Sequence, residues 1–405
     1  MSIYAPQSWR PWALVGFSFL ALALAYSTRA AFGLVMPHLE AEFGWSRSFT
    51  SSIVAAALMM TAVLAPLGGR LVDKQGARAV IVLGLGLLAA GCFLSAATSN
   101  PVAFLLAFGG VAATGFGLVA IHVVSAGVEQ EFEANQGLAM GLATSGSTAG
   151  QFLIVPLVAL LLAAYSWRWA FVALGLAALI MMLFIWRWFP RGRGGTAPAD
   201  QADGSLAEDL KGILRSPAFQ ILFWSFFLCG YTTSGVIETH FLPYASFCGF
   251  GPVSSATAYG VLSAINLVGM ILVGWLTDRV NRPLLLGGIY LVRGLTFILL
   301  VQVGANLEVL FLFAILFGLV DYSTSPVTAS LVASHIGLRV MGLAFGMISA
   351  GHQIGGALGA YFGGLLFDLY AHYDWVWWSS LWLAVLAGLL VFLLRDKPRA
   401  VAFAS

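Results

Sequence analysis

The stretch GGRLVDKQGAR, residues 68–78, separates two long apolar runs, and GWLTDRVNR at 274–282 separates two others. Gly69 through Asp73 answers Gly274 through Asp278 at a shift of 205 residues. A second pair obeys the same shift: GLAMG at 137–141 answers GLAFG at 342–346, after which Gly146 and Gly150 match Gly351 and Gly355. Two matches at one offset mark a duplicated chain, and each half carries its polar loop between its second and third apolar runs. Duplicated helical bundles of this kind build many secondary transporters.

Composition points the same way. Of 405 residues, 60% are hydrophobic and 9% charged, against roughly 25% charged in soluble domains. Such a chain cannot cover a water-exposed surface and reads as an integral membrane protein with the lipid bilayer as its solvent. A net charge of +2 without a basic tail offers nothing to nucleic acid. Cys92, Cys229 and Cys248 have neither metal-ligand spacing nor a disulfide framework, so no metal and no cofactor is expected. The first apolar run is too long for a signal core and reads as a first span rather than a cleaved leader.

A hydrocarbon core of about 30 Å needs about 20 apolar residues per helix. On that basis the fold class is all-α, with twelve spans near 12–36, 48–70, 79–98, 101–128, 137–163, 168–189, 218–242, 254–276, 283–303, 306–333, 340–367 and 375–394. With the N-terminus inside, fifteen Lys and Arg fall on the cytoplasmic side and only Arg47 and Arg168 outside. That bias orients the chain with both termini cytoplasmic; the expected location is a bacterial cytoplasmic (inner) membrane. The polar segment 190–212 divides the chain into six spans and six spans. The expected domains are an N-terminal bundle at 1–190, a linker at 191–217 and a C-terminal bundle at 218–405, related by a pseudo-twofold axis in a monomer.

The 68–78 segment resembles the signature loop of the major facilitator superfamily, G-x-L-x-D-x-x-G-x-R, and the repeat, span number and central linker extend that resemblance along the chain. RAAFGLVMPHLEAEFGWSRS at 29–48 is similar to the first span and outer loop of bacterial relatives of monocarboxylate transporters. The resemblance implies a conformational latch at Gly69, Asp73 and Arg78, with Gly274, Asp278, Arg279 and Arg282 in the second copy. Charges that only obey the orientation rule are the alternative. It also exposes a departure. Where those transporters carry a carboxylate-binding Arg four residues after a polar residue in span 8, this chain has Asn266 and then Met270.

An ionisable group at mid-bilayer costs about 2.5–3.5 kcal/mol on insertion scales, and isolated ones find partners or line water. Arg29 lies about two turns inside span 1. It is either a cation on the substrate path, with Tyr26 beside it, or half of a structural pair with an acid on another helix. Arg293 and Asp321 are expected to neutralise each other across spans 9 and 10, as a structural or a proton-linked pair, with Pro326 bending span 10. Asn266, Tyr322, His122, His352 and Gln353 are candidate ligand donors, and Glu238 with His240 reads as an interfacial polar cluster or a proton entry point. The glycine seams of spans 5 and 11 read as close packing surfaces.

The expected activity is secondary transport by alternating access. The preferred mode is symport of a proton with a small organic anion. The alternative is a neutral, aromatic or larger solute, such as a flavin-like compound or a drug, taken up or expelled. No P-loop, no clustered nucleophile and base, and no HxxxH pattern supports an ATP-driven pump or an enzyme.

Overall fold

The computed structural model describes residues 9–121, 123–124, 136–188, 206–337 and 340–396. No strand occurs among the described residues. Among the described residues, eleven helices are long and apolar enough to cross a membrane. A further helix, Met341–Tyr370, is 30 residues long and completes the expected twelve. Its many glycines, with His352 and Gln353, lower its hydropathy because this helix is built to pack against helices rather than lipid. Leu157, Ile180, Ile271, Leu295 and Trp382 are among the exposed apolar residues, as lipid-facing surfaces require.

The breaks between spans are chemically ordinary. Asn100 accepts from the Ala103 amide at 3.0 Å and precedes Pro101. Ser216 accepts from Phe219 at 3.4 Å and precedes Pro217. Asn281 accepts from Leu284 at 3.0 Å. Each pairs a side-chain N-cap with a proline that has no amide hydrogen to leave unsatisfied.

Three boundaries differ from expectation. Span 1 runs on as helix to Phe43, which carries Glu40 beyond the expected end at 36. The 68–78 loop is helical rather than irregular: Arg47–Ala97 is one helical run, broken only at Gly76, with φ 79° and ψ 154°. A side chain would be strained at that φ, which is why glycine stands there. Span 10 does not bend at Pro326. It stops at Val320, passes through residues 321–323 as turn, and resumes as Thr324–His335. Pro326 therefore sits in the first turn of the second half, where its missing amide hydrogen costs nothing.

The chain forms two compact units, Met1–Ala31 with Val63–Pro198, and Phe32–Ala62 with Ala199–Ser405. In the first, Gly146 and Gly150 lie so close to the Phe19 and Ala23 carbonyls of span 1 that a Cβ would collide with them. Span 4 has a π-helical stretch at Leu105–Ala112 and a bend at 119–120. In the second, an apolar core built on Phe219, Phe226, Leu286, Tyr290, Val327 and Ile348 holds the last six spans. The second part of span 1, from Phe32, and span 2 as far as Ala62 belong to this second unit. Gly364 of span 11 lies against Arg47 and Ser51 of span 2, and Gly33 of span 1 lies against Leu242 of span 7.

Candidate functional site

The second unit contains two irregular segments that meet. Span 7 is π-helical over Tyr231–Ile237. Thr232 and Thr233 bond the Cys229 carbonyl at 3.0 and 2.8 Å, and Thr239 bonds the Ser234 carbonyl at 3.2 Å. Hydroxyls that take main-chain acceptors compete with regular helix bonding, and π-bulges concentrate at functional sites. Gly230 and Gly235 let the span 11 backbone come close at His352 and Gly356.

The other segment is the break in span 10. Asn266 of span 8 bridges it: its Nδ2 donates to Asp321 Oδ2 at 3.3 Å, and its Oδ1 accepts from the Tyr322 amide at 3.1 Å. Tyr322 donates its hydroxyl to Glu238 Oε1, which also accepts from Ser234 Oγ at 3.5 Å. A connected polar path thus runs from Glu238 through Tyr322 and Asn266 to Asp321. Asn266 and Asp321 are buried, whereas Glu238 and Tyr322 are half-buried.

Arg293 reaches its expected partner, Asp321, through the main chain. Its guanidinium, wholly buried, donates to the main-chain oxygens of Val320, at 2.5 Å, and Asp321, and to Cys229 Sγ at 2.8 Å. The carboxylate of Asp321 turns to Asn266 instead. The reason is local: a helix ending inside the membrane leaves carbonyls with no water to satisfy them, and a cation there also meets the negative end of the helix dipole. The rings of Tyr290 and Phe317 flank the cation at 5.5 and 5.8 Å. Cys229 is consequently a hydrogen-bond partner as well as a small core residue.

His352 lies 3.4 Å from Thr233 Oγ1 through Nε2, with its ring 4.7 Å from Phe226. Gln353 has a buried Oε1 without a hydrogen-bond partner. His240 is fully buried, and its Nε2 lies 2.8 Å from the Ala360 carbonyl. In the first unit, the half-buried Arg29 lies over the ring of Tyr26, 5.0 Å from its centroid. His122 lies outside the described residues, as do the side-chain surroundings of Gly69 and Asp73.

The loop charges make specific contacts. Arg78 donates to the Trp186 carbonyl at the end of span 6. Arg282 pairs with Asp396, beyond span 12, at 2.9 and 2.7 Å, and reaches Ser330 of span 10 at 3.1 Å. Arg279 bonds the Trp275 carbonyl at 2.9 Å, and Asp278 caps the end of the Pro252–Thr277 helix. Gly274 faces open space, so no close approach explains it. Among the described residues no cluster of His, Cys, Asp and Glu could hold a metal ion.

Sequence reasoning missed one charged cluster, in which Arg47, Glu40, Asp368 and Tyr373 meet. Arg47 and Glu40 flank the connection between spans 1 and 2, a visible signal. Asp368 and Tyr373 lie more than 300 residues further on, and nothing local joins them.

Comparison with known proteins agrees with this architecture. A family model for the Major Facilitator Superfamily matches residues 18–342 and 267–405. Monocarboxylate transporter 11 of Homo sapiens is 28% identical over 369 residues, 88% of this chain and 77% of that one. The protein named "Uncharacterized MFS-type transporter YcxA" of Bacillus subtilis (strain 168) is 26% identical over 367 residues, 88% of each chain. Among solved structures, a bacterial homolog of the human lysosomal transporter Spinster, inward-facing and occupied, superposes with TM-score 0.81 at 14% identity, covering 97% of this chain and 100% of that one. The xylose transporter XylE from E. coli, inward open, gives 0.73 at 16% identity over 96% and 97%.

Proposed function

The chain belongs to the Major Facilitator Superfamily, and we propose that it moves a small organic anion together with a proton across a bacterial cytoplasmic membrane. Its termini face the cytoplasm, it works as a monomer, and its two halves expose the substrate site to each side in turn. The observation that carries this reading is the pairing of half-buried Glu238 on the π-helical part of span 7 with Tyr322 at the break in span 10. A carboxyl group held between two irregular segments can take or lose its proton as those segments rearrange. Asp321, joined to it through Asn266, is the second proton site. Arg293 serves as the fixed cation that stabilises the break.

Arg29, with Tyr26 against it, supplies the cation for the anion. Within the second unit, His352, Gln353 and Tyr322 are the candidate ligand donors and acceptors, and Asn266 positions the break. Monocarboxylate transporters recur among the relatives, and their name makes short carboxylates the first solutes to test. Met270, standing where the family resemblance calls for an Arg, supports the second reading: a neutral, aromatic or larger solute on the same fold.

The test is uptake of radiolabelled pyruvate and L-lactate by proteoliposomes under an imposed inward proton gradient. Accumulation is expected to depend on the gradient. Arg29→Ala is expected to weaken anion affinity more than about tenfold, in line with loss of a buried charged contact. Glu238→Gln is expected to leave binding intact and uncouple uptake from pH. Uptake of a neutral or aromatic solute that ignores both substitutions would transfer the assignment to the second reading.

A further inference from the structure

Histidine rings meet main-chain carbonyls at several places in this molecule, and His335 meets two of them at once. His38 lies with Nδ1 3.1 Å from the Leu34 carbonyl. His240 lies with Nε2 2.8 Å from the Ala360 carbonyl, while its Nδ1 has no hydrogen-bond partner. A neutral imidazole carries one N–H and satisfies either arrangement. His335 places Nδ1 3.0 Å from the Leu331 carbonyl and Nε2 2.9 Å from the Arg395 carbonyl. Carbonyl oxygens only accept, so both ring nitrogens must donate, and only the imidazolium can do that.

Ser334 does not remove the demand. Its hydroxyl lies 3.2 Å from His335 Nδ1 and 3.2 Å from the Leu331 carbonyl. If it donates to an unprotonated Nδ1, the lone pair of the ring still faces that carbonyl at 3.0 Å. The position adds to the preference for charge. His335 is the last residue of the Thr324–His335 helix, where the negative end of the helix dipole favours a cation.

The second acceptor matters because of where it comes from. Arg395 follows the last span, Asp374–Phe392, and its neighbours are anchored on the same unit. Leu394 and Ile336 pack against one apolar core. Asp396 binds the Arg282 guanidinium of span 9 at 2.9 and 2.7 Å and accepts from the Arg282 amide at 3.1 Å. Arg282 in turn reaches Ser330 of span 10. The other charges at this end are Asp278 and Arg279 after span 8, the latter on the Trp275 carbonyl, and Lys211 and Arg215 before span 7. Span 11 carries none between Met341 and His352, and Arg339 lies outside the described residues. The described partners of His335 are neutral oxygens, so its charge answers dipoles rather than a carboxylate.

We propose that His335 is a proton-operated clasp that fastens the chain beyond span 12 to the end of span 10. Without its second proton, one of the two bonds is lost and a lone pair meets a carbonyl. The clasp is therefore closed at low pH and opens as pH rises. The half-helix that it holds has the break at 321–323 as its other end, where Asn266 binds the Tyr322 amide. A proton at His335 thus sets how freely this half of span 10 moves about the interruption. With the orientation proposed above, this end faces the cytoplasm and the clasp reads cytoplasmic pH. It depends on no particular solute or coupling ion.

The full chain in lipid nanodiscs, carrying isotopically labelled histidine, supplies the test by nitrogen NMR. His335→Gln assigns the signal through its loss; where that variant fails to fold, His335→Arg assigns it in the same way. At about pH 6 the signal is expected to be an imidazolium, and at about pH 8 a neutral ring, across the range in which histidine changes charge. Trypsin cleavage after Arg395, normalised at each pH to a soluble peptide substrate, is expected to quicken about tenfold over the same interval, as for loss of one hydrogen bond to a charged group. His335→Gln should be cleaved fast at both pH values. His335→Arg, a permanent cation with several donors, should be cleaved slowly at both. A ring already neutral at about pH 6, or a pH response of cleavage that persists in either variant or is missing from the parent, overturns the proposal. A purely structural histidine would hold one protonation state and leave normalised cleavage flat. Neither solute nor proton gradient is used, so failure here and failure of the anion-symport reading are separate results.

Discussion

Two buried arginines in the same compact unit solve the same problem in opposite ways. Arg47 takes a carboxylate partner, Glu40, through two short bonds. Arg293 takes carbonyl oxygens and a thiol, leaving the neighbouring carboxylate to an amide. The difference follows from what each cation was placed to satisfy. At residue 47 the backbone is regular helix capped by Asp368, so the guanidinium is free to bind side chains. At residue 293 it faces the broken end of a helix in the middle of a span, where unsatisfied carbonyls are the more costly neighbours. One arginine fastens helices to each other; the other maintains an interruption within a helix. A broken helix is a place to bind and move, and a fastened pair is a place to hold.

The contrast can be broken experimentally, and the largest effect is expected at Arg293. Arg293→Leu should destabilise the protein by about 3–5 kcal/mol, the range for removing one member of a buried charged network, read as a loss of folded protein in detergent melts. Adding Asp321→Asn should recover little, because the Val320 and Asp321 carbonyls would still lack donors. Recovery of most of the stability would restore the side-chain pair as the dominant interaction. Asn266→Leu comes next, at about 1–3 kcal/mol, since it strips partners from both the Asp321 carboxylate and the Tyr322 amide. Chemical unfolding monitored by tryptophan fluorescence would measure it.

Arg47→Lys should cost about 1.5 kcal/mol, the lower end for a hydrogen bond to a charged group. A loss as large as that at Arg293 would mean that the two cations are held alike. Tyr322→Phe is expected to be mildest, about 0.5–1.5 kcal/mol for one hydrogen bond, with the melting curve otherwise unchanged. A much larger loss would show that the break depends on Tyr322 as well as on Arg293.

Much of the architecture was legible. Span number, the duplicated halves and the polar breaks at Asn100 and Asn281 follow from hydropathy, offset and capping chemistry. Arg29, Glu238, Asp321 and Arg293 were visible as charges that lipid would reject. Their partners were not. Arg293 with the carbonyl of residue 321, and Asn266 with both the side chain and the main chain of the break, depend on where span 10 stops. Pro326 drew attention to the right turn and was misread as the bend itself.

The duplication sharpens the point. At a shift of 205, YSTRAAF at 26–32 answers YTTSGVI at 231–237. The first copy is regular helix with Arg29 in it, and the second is π-helical with Ser234 in that place. Gly33 in the first copy answers Glu238 in the second. Related sequences with shared Tyr and hydroxyl residues therefore adopt different local geometry, and the charge they carry changes sign between the copies. Gly235, which brings span 11 against span 7, has Ala30 as its counterpart.

What the amino-acid order alone determined was the solvent of this protein, the number of its crossings and its descent from a repeated half. Those properties depend on transfer free energy and length, which sum along the chain one residue at a time. Tertiary structure decided where each buried charge finds its counterpart and which helix is interrupted. Those outcomes depend on directional bonds between segments as far apart as Arg47 and Asp368, and in a medium without water each unsatisfied group must be answered by whatever neighbour the fold delivers.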